Sequence, residues 1–194
     1  ISLDHLFNRP TLSPLIGKHL IKKLVISNPS PAYVGRISAI LEDNGQGKRG
    51  DLGAVIKAIL LDKEALEGIN NNANFGKIRE PILRAVHLWR TFNASSPNGR
   101  FEFTWPDYAF AQSPLGAHHV FNFFSPDYAP PGIVSENNLI APELEIVTEN
   151  FLTRTSNFFA YSTLWGHTEF KDENTKSERI LIDITSLKPM ADNT

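Results

Sequence analysis

Thirteen prolines punctuate this chain, and their placement limits what it can fold into. Six of them, Pro97, Pro106, Pro114, Pro126, Pro130 and Pro131, fall between residues 94 and 141. Proline lacks a backbone N–H and clashes with the preceding helical turn, so no long helix can cross that stretch. Elsewhere Pro14, Pro31, Pro81 and Pro142 stand at the start of apolar patterns with helical period, where a missing N–H costs nothing. The expected organisation is a series of helices interrupted by one 48-residue excursion over residues 94–141. Connections that long are normally functional or disordered.

The periodicity predicts a short helix over residues 3–8, closed by Asn8 and Pro10. A second helix follows, with Leu15, Ile16, Leu20, Leu24 and Val25 as its apolar stripe and Lys18, Lys22 and Lys23 on the remaining surface. Ser30 and Pro31 open a third, running to about Asp43 on Val34, Ile37, Ile40 and Leu41. Asp51 caps a fourth, whose broad face of Leu52, Val55, Ile56, Ile59 and Leu60 suggests a central position. A short helical turn over residues 62–66 and a polar loop over Asn70–Asn74 are expected next. A fifth helix spans Ile78–Phe92, and helical character returns from Pro142 to Leu164. Residues 169–177 read as a polar loop. The alternation of Phe101, Phe103 and Trp105 leaves room for one small β-hairpin. The fold class is mainly α: a multi-helix array with a long, ordered, aromatic and Pro-rich loop. It forms a single domain over residues 1–194 or the C-terminal fragment of a larger helical domain.

Composition excludes several classes of function. Nineteen Lys and Arg stand against 21 Asp and Glu, a net charge of −2, so no global basic field exists to hold nucleic acid. No apolar run reaches the ~18 residues of a membrane span. The absence of cysteine removes disulfides, thiolate metal sites and cysteine nucleophiles.

The long excursion is not composed like a disordered linker. Residues 101–128 hold nine of the 20 Phe, Trp and Tyr: Phe101, Phe103, Trp105, Tyr108, Phe110, Phe121, Phe123, Phe124 and Tyr128. Disordered segments are poor in aromatics, so this one packs. It can lie as a lid of Phe side chains over the helices, with most of the six Phe buried. It can also line a cleft with Trp105, Tyr108 and Tyr128, whose polar handles suit a partly wet surface.

The same excursion carries a resemblance. Val120-Phe121-Asn122-Phe123-Phe124-Ser125-Pro126-Asp127-Tyr128-Ala129-Pro130-Pro131-Gly132, then Leu139-Ile140-Ala141-Pro142-Glu143-Leu144, resembles the signature of a bacterial family known as domain of unknown function 1800. His5–Pro10, Leu24–Tyr33, Arg49–Leu52 and Lys77–Pro81 are similar to it as well, in the same order. The resemblance implies a secreted, periplasmic or surface-associated protein, often encoded beside a second secreted family that resembles sulfatases. It supplies no catalytic residues. His118-His119 departs from the small residues or proline expected there.

The motifs that carry chemistry are few. His118 and His119 are adjacent and diverge on any regular backbone, and the other four His are scattered, so no metal is expected. The loop from Glu42 to Asp51 has glycines placed like those of a calcium loop. Its twelfth residue is nevertheless Gly53 or Ala54 rather than an acid, and Lys48 and Arg49 add positive charge. It reads as a turn using glycines at positive φ, with Asp51 as a cap. Carboxylate pairs stand at Glu143 and Glu145 and, inside the aromatic segment, at Asp107 and Asp127; Asp127 could equally shape a turn. The expected function is a helical module that binds a partner protein or glycan through residues 101–131, with Trp105, Tyr108, Asp127 and Tyr128 as contacts and no cofactor. The alternative is part of a hydrolase acting on polysaccharide or sulfated polymer, with acids from Asp107 or Asp127.

The chain opens without Met inside a helical pattern and closes on the apolar run Arg179–Leu187. A segment of a longer protein is expected, lacking an N-terminal half. Helices at Leu3–Phe7 and Arg179–Leu187 would then expose apolar faces, met by self-association or by packing of the two termini on each other.

Overall fold

The computed structural model describes residues 2–101, 103, 105–165 and 180–185. The fold is mainly α. The first helices are α1 (Ser2–Phe7), α2 (Leu12–Leu24), α3 (Pro31–Glu42), α4 (Leu52–Leu61) and α5 (Lys63–Asn71). Then come α6 (Pro81–Thr91), α7 (Pro106–Phe110), α8 (Ile133–Glu136) and α9 (Glu149–Trp165), with a 3₁₀ turn at Pro142–Glu145 before the last. The chain divides into two compact units. One comprises Ile1–Ile78 and Pro126–Pro142; the other comprises Arg79–Ser125 and Glu143–Thr194.

In the first unit, α2, α3 and α4 enclose Ile21, Ile26, Tyr33, Ile37, Leu41, Val55 and Ile59. The helix starts follow the capping chemistry read from the sequence. Ser30 Oγ accepts the Tyr33 N–H at 3.1 Å and Asp51 accepts the Ala54 N–H at 3.1 Å.

The seam of α2 differs from the expected stripe. Ser13, Gly17, Ile21 and Lys22 are buried, whereas Leu15 and Leu24 are exposed. The reason is close helix crossing: a Cβ on Gly17 would stand 3.3 Å from Ile37 Cγ2. Small side chains set the line of approach, so the largest apolar residues do not define the contact. The expectation of a central α4 also fails. Val55 and Ile59 are buried, but Leu52, Ile56 and Leu60 on the same helix are exposed. The turn expected at 62–66 is instead a nine-residue helix reaching Asn71, capped by Asp62. Gly68 within it leaves space for the Phe75 ring, which a Cβ would meet at 2.2 Å.

The glycine-rich turn behaves as expected. Gly45, Gly47 and Gly50 adopt positive φ. The Asp43 carboxylate accepts the N–H groups of Gly45 and Gly47, both at 2.8 Å.

In the second unit, Ala85, Ala109, Phe110 and Phe158 form the core, joined by Ile82, Trp89, Phe103 and Phe159. The rings of Phe110 and Phe158 meet edge-on at 4.7 Å. The buried amide of Gln112 donates to Glu80 at 2.7 Å and accepts the Ile82 N–H at 3.3 Å, tying the α7 end to the start of α6. The last helix begins at Glu149 rather than at Pro142, because residues 142–145 form the 3₁₀ turn.

Three expectations about the excursion and the C-terminal run are corrected. Of the six Phe, only Phe110 and Phe124 are buried; Phe103 and Phe123 are half-buried, and Phe101 and Phe121 are exposed. A lid of buried Phe is therefore absent, because four of the six side chains keep part of their surface in water. No hairpin forms among the described residues; isolated antiparallel bridges pair Ser95 with Leu181 and His119 with Asn122. Ile180 and Leu181 are extended rather than helical. Ile180 is fully buried and Leu181 exchanges two 2.8 Å hydrogen bonds with Ser95. At the other end, Leu3 and Phe7 are exposed as expected. The polar loop expected at 169–177 lies outside the described residues.

Candidate functional site

Two separate constructions position the residues singled out in the aromatic segment: Trp105 and Tyr108 in one unit, Asp127 and Tyr128 in the other.

Tyr108 sits on α7 and Trp105 at its N-cap; α7 is a five-residue helix that could not persist alone. Pro106 opens it, Ala111 closes it in the left-handed conformation, and Pro106, Ala109 and Phe110 are buried. Its orphan C-terminal carbonyls are satisfied from α9. Thr155 Oγ1 donates to Ala109 O at 2.8 Å and Arg154 Nη1 to Tyr108 O at 3.4 Å. With the buried face committed, Trp105 and Tyr108, three residues apart, stand outward at 62% and 63% exposure. The Arg154 guanidinium lies over the Tyr108 ring, 4.2 Å from its centroid, and 5.5 Å from that of Phe151. The product is an aromatic surface with a fixed cation and the exposed Asp107 beside it. Arg154 escaped the sequence reading. The signal that could have found it is its place in the stripe Phe151, Arg154, Thr155, Phe158 on α9.

Asp127 begins a loop clasped at both ends. Its carboxylate accepts from Lys22 Nζ at 2.8 Å, and the same ammonium donates to Pro126 O at 2.5 Å. At the other end, Asn28 pairs with Ile140 through two 2.9 Å hydrogen bonds, one in each direction, and Tyr128 O accepts the Ala141 N–H. Tyr128 itself is half-buried. Hydrogen bonding from Lys22 holds the Asp127 carboxyl below its ordinary value. His19 nearby is pushed down by burial and by the Lys22 charge. An ionised, ion-paired Asp127 is suited to holding a cation, not to donating a proton. Glu145, another of the acids considered, accepts the Ser125 N–H at 2.5 Å and so shapes the chain.

The remaining candidates are plain. His118 and His119 are exposed; His119 Nδ1 accepts the Phe121 N–H at 3.1 Å. Among the described residues, no three His, Asp or Glu side chains gather as a metal site needs, and no helix is long and apolar enough to cross a membrane. A shallow cleft of ≈ 380 Å3 lies beside α6, lined by Trp89, Arg90, Asn93 and Phe101.

These features define a mainly α protein whose loop segments are clasped onto helices by side chains. Residues 2–189 match the family model described as protein of unknown function (DUF1800), and the chain belongs to that family. No curated protein matches the chain, and no solved structure does. Within the first unit, two pairs of the segments read from the sequence as similar to that family are in contact. Arg49 donates to Phe7 O at 2.9 Å and stacks on the Phe7 ring, while Asn28 holds Ile140.

Proposed function

We propose that the chain is a helical module of a secreted or cell-surface bacterial protein, and that it binds a partner protein or a glycan through the outward face of α7. The observation that carries this reading is the exposure of Trp105 and Tyr108 on a helix whose other face is fully committed to packing. Tyr and Trp rings have few rotatable bonds and so lose little entropy on binding, and each combines an apolar plane with a polar edge. Arg154 and Asp107 supply hydrogen bonds at the border. Asp127 and Tyr128 are secondary candidates, since the first is occupied by Lys22 and the second is half-buried. The location outside the cytoplasm rests on the family resemblance. The hydrolytic alternative draws on Asp107 or Asp127, but a general acid needs a raised pKa and Asp127 is shifted the other way.

A glycan array with the wild-type chain, followed by titration of each hit against Trp105→Ala and Tyr108→Ala, tests the reading. Both variants should keep the wild-type melting temperature and lose binding at least about tenfold, as hot-spot aromatics do. Unchanged binding in both would overturn it.

A further inference from the structure

A second cleft, separate from the α7 face, has the chemistry of an oxyanion site. It measures ≈ 330 Å3 and is lined by Arg84, His87, Leu88, Thr91, Phe92 and Phe159. Arg84, His87 and Thr91 lie at i, i+3 and i+7 on α6, so they share one helix face. Their heads are a guanidinium, an imidazole and a hydroxyl, and among the described residues no carboxylate lines the cleft. From Pro81 to Thr91 the helix contains two arginines and no acid, so its own side chains bring only positive charge.

Arg84 supplies the observation that points to a ligand. Its Nε is buried and has no hydrogen-bond partner among the described residues. A buried donor left unmade is costly, which makes a native example informative. The guanidinium carbon lies over the Phe159 ring, 5.9 Å from its centroid, which sets the cation against an aromatic wall. A planar fork held in this way fits a two-oxygen acceptor bidentately. The Phe92 and Phe159 walls fit an apolar body attached to that acceptor.

We infer that this cleft binds a small molecule carrying a carboxylate or phosphate on an apolar body, with Arg84 and His87 gripping the oxyanion, Thr91 adding a hydroxyl contact, and Phe92 and Phe159 packing on the body. The test is an amide-resolved NMR titration of the 194-residue chain with benzoate, phenyl phosphate and benzyl alcohol. Benzoate or phenyl phosphate should shift the amides of residues 84–92, and the stronger of the two assigns the acceptor. Benzyl alcohol should bind at least about tenfold more weakly, because the charge-assisted hydrogen bonds are missing. Arg84→Gln should weaken the anionic probe about tenfold or more, and Arg84→Lys less. His87→Gln, at an exposed position, should weaken it about threefold to tenfold and serves if the Arg84 variants do not fold. No shift with either anion, equal binding of benzyl alcohol, or anion binding unaffected in a folded Arg84→Gln or His87→Gln variant would overturn the inference.

Discussion

Lys22 is a buried cation whose counter-ion stands in water: its side chain is 6% exposed, while Asp127, 2.8 Å away, is 71% exposed. The pair spans 105 residues of sequence and closes the base of the loop that carries the family signature. Removing one partner from such a pair is worse than removing both, because an ammonium cut off from water needs a compensating charge. Asp127→Ala should cost about 1–2 kcal/mol, less than for a fully buried pair because the carboxylate is solvated. Lys22→Met should cost less than Asp127→Ala, and Asp127→Ala should be nearly silent in the Lys22→Met background. Urea denaturation of the four proteins measures the coupling.

Arg36 grips Asp62 through two 2.7 Å hydrogen bonds, and this holds the Asp62 carboxyl below its ordinary value. A depressed carboxylate contributes stability above its unfolded pKa of about 3.9 and loses it as pH falls through the folded value. Unfolding midpoints should therefore decline below about pH 4, and Asp62→Asn should flatten that decline. An unchanged acid limb in the variant would contradict the assignment.

Tyr33 is buried and donates its hydroxyl to Ile59 O at 2.5 Å, and burial pushes its pKa up to about 12. The unfolded chain releases this proton near pH 10, so stability is complete below that and falls as pH rises toward the folded value. Tyr33→Phe should lower stability at neutral pH by about 1 kcal/mol through the lost hydrogen bond. It should also remove part of the alkaline slope. Denaturation at pH 8 and above pH 10 separates the two effects.

Phe110 and Phe121 belong to the same aromatic segment but have opposite environments. Phe110→Ala should cost about 3–5 kcal/mol by emptying the contact with Phe103 and Phe158. Phe121→Ala should stay within about 1 kcal/mol, as surface changes do. Thermal melts of the two variants decide, and equal losses would show the burial pattern wrong.

Gly68 cannot accept a side chain while Phe75 keeps its ring in place. Alanine normally improves a helix by about 1 kcal/mol over glycine. Gly68→Ala should instead destabilise by about 1–3 kcal/mol, and Phe75→Leu should relieve part of that loss. A stabilised Gly68→Ala would refute the close contact.

Capping and punctuation were legible residue by residue. Ser30, Pro31 and Asp51 each act within four positions of themselves, so a local reading places the starts of α3 and α4, while α6 opens at Pro81 rather than at Ile78. The excursion between α6 and α9 was legible as a region because prolines act locally too. Ile37 and Leu41 on α3 and Val55 and Ile59 on α4 were legible as buried positions, but the seam of α2 was not. Period alone selected Leu15 and Leu24 for the core, while the approach of α3 selected Ser13, Gly17 and Ile21. The direction of each aromatic ring was equally hidden: which of Trp105, Tyr108 and Phe110 faces inward depends on where α9 offers Thr155 and Arg154 to the ends of α7.

By itself, then, the sequence determined the class of fold, the starts of α3 and α4 and the family, because those rest on short-range sterics, capping chemistry and an unusual string of residues. Tertiary structure alone decided that Lys22 is buried, that Asp127 serves as its counter-ion, and that Trp105 and Tyr108 face water. Those outcomes depend on contacts between residues from about fifty to more than a hundred positions apart, and burial free energy is set by what arrives from that distance, not by the identity of the residue that receives it.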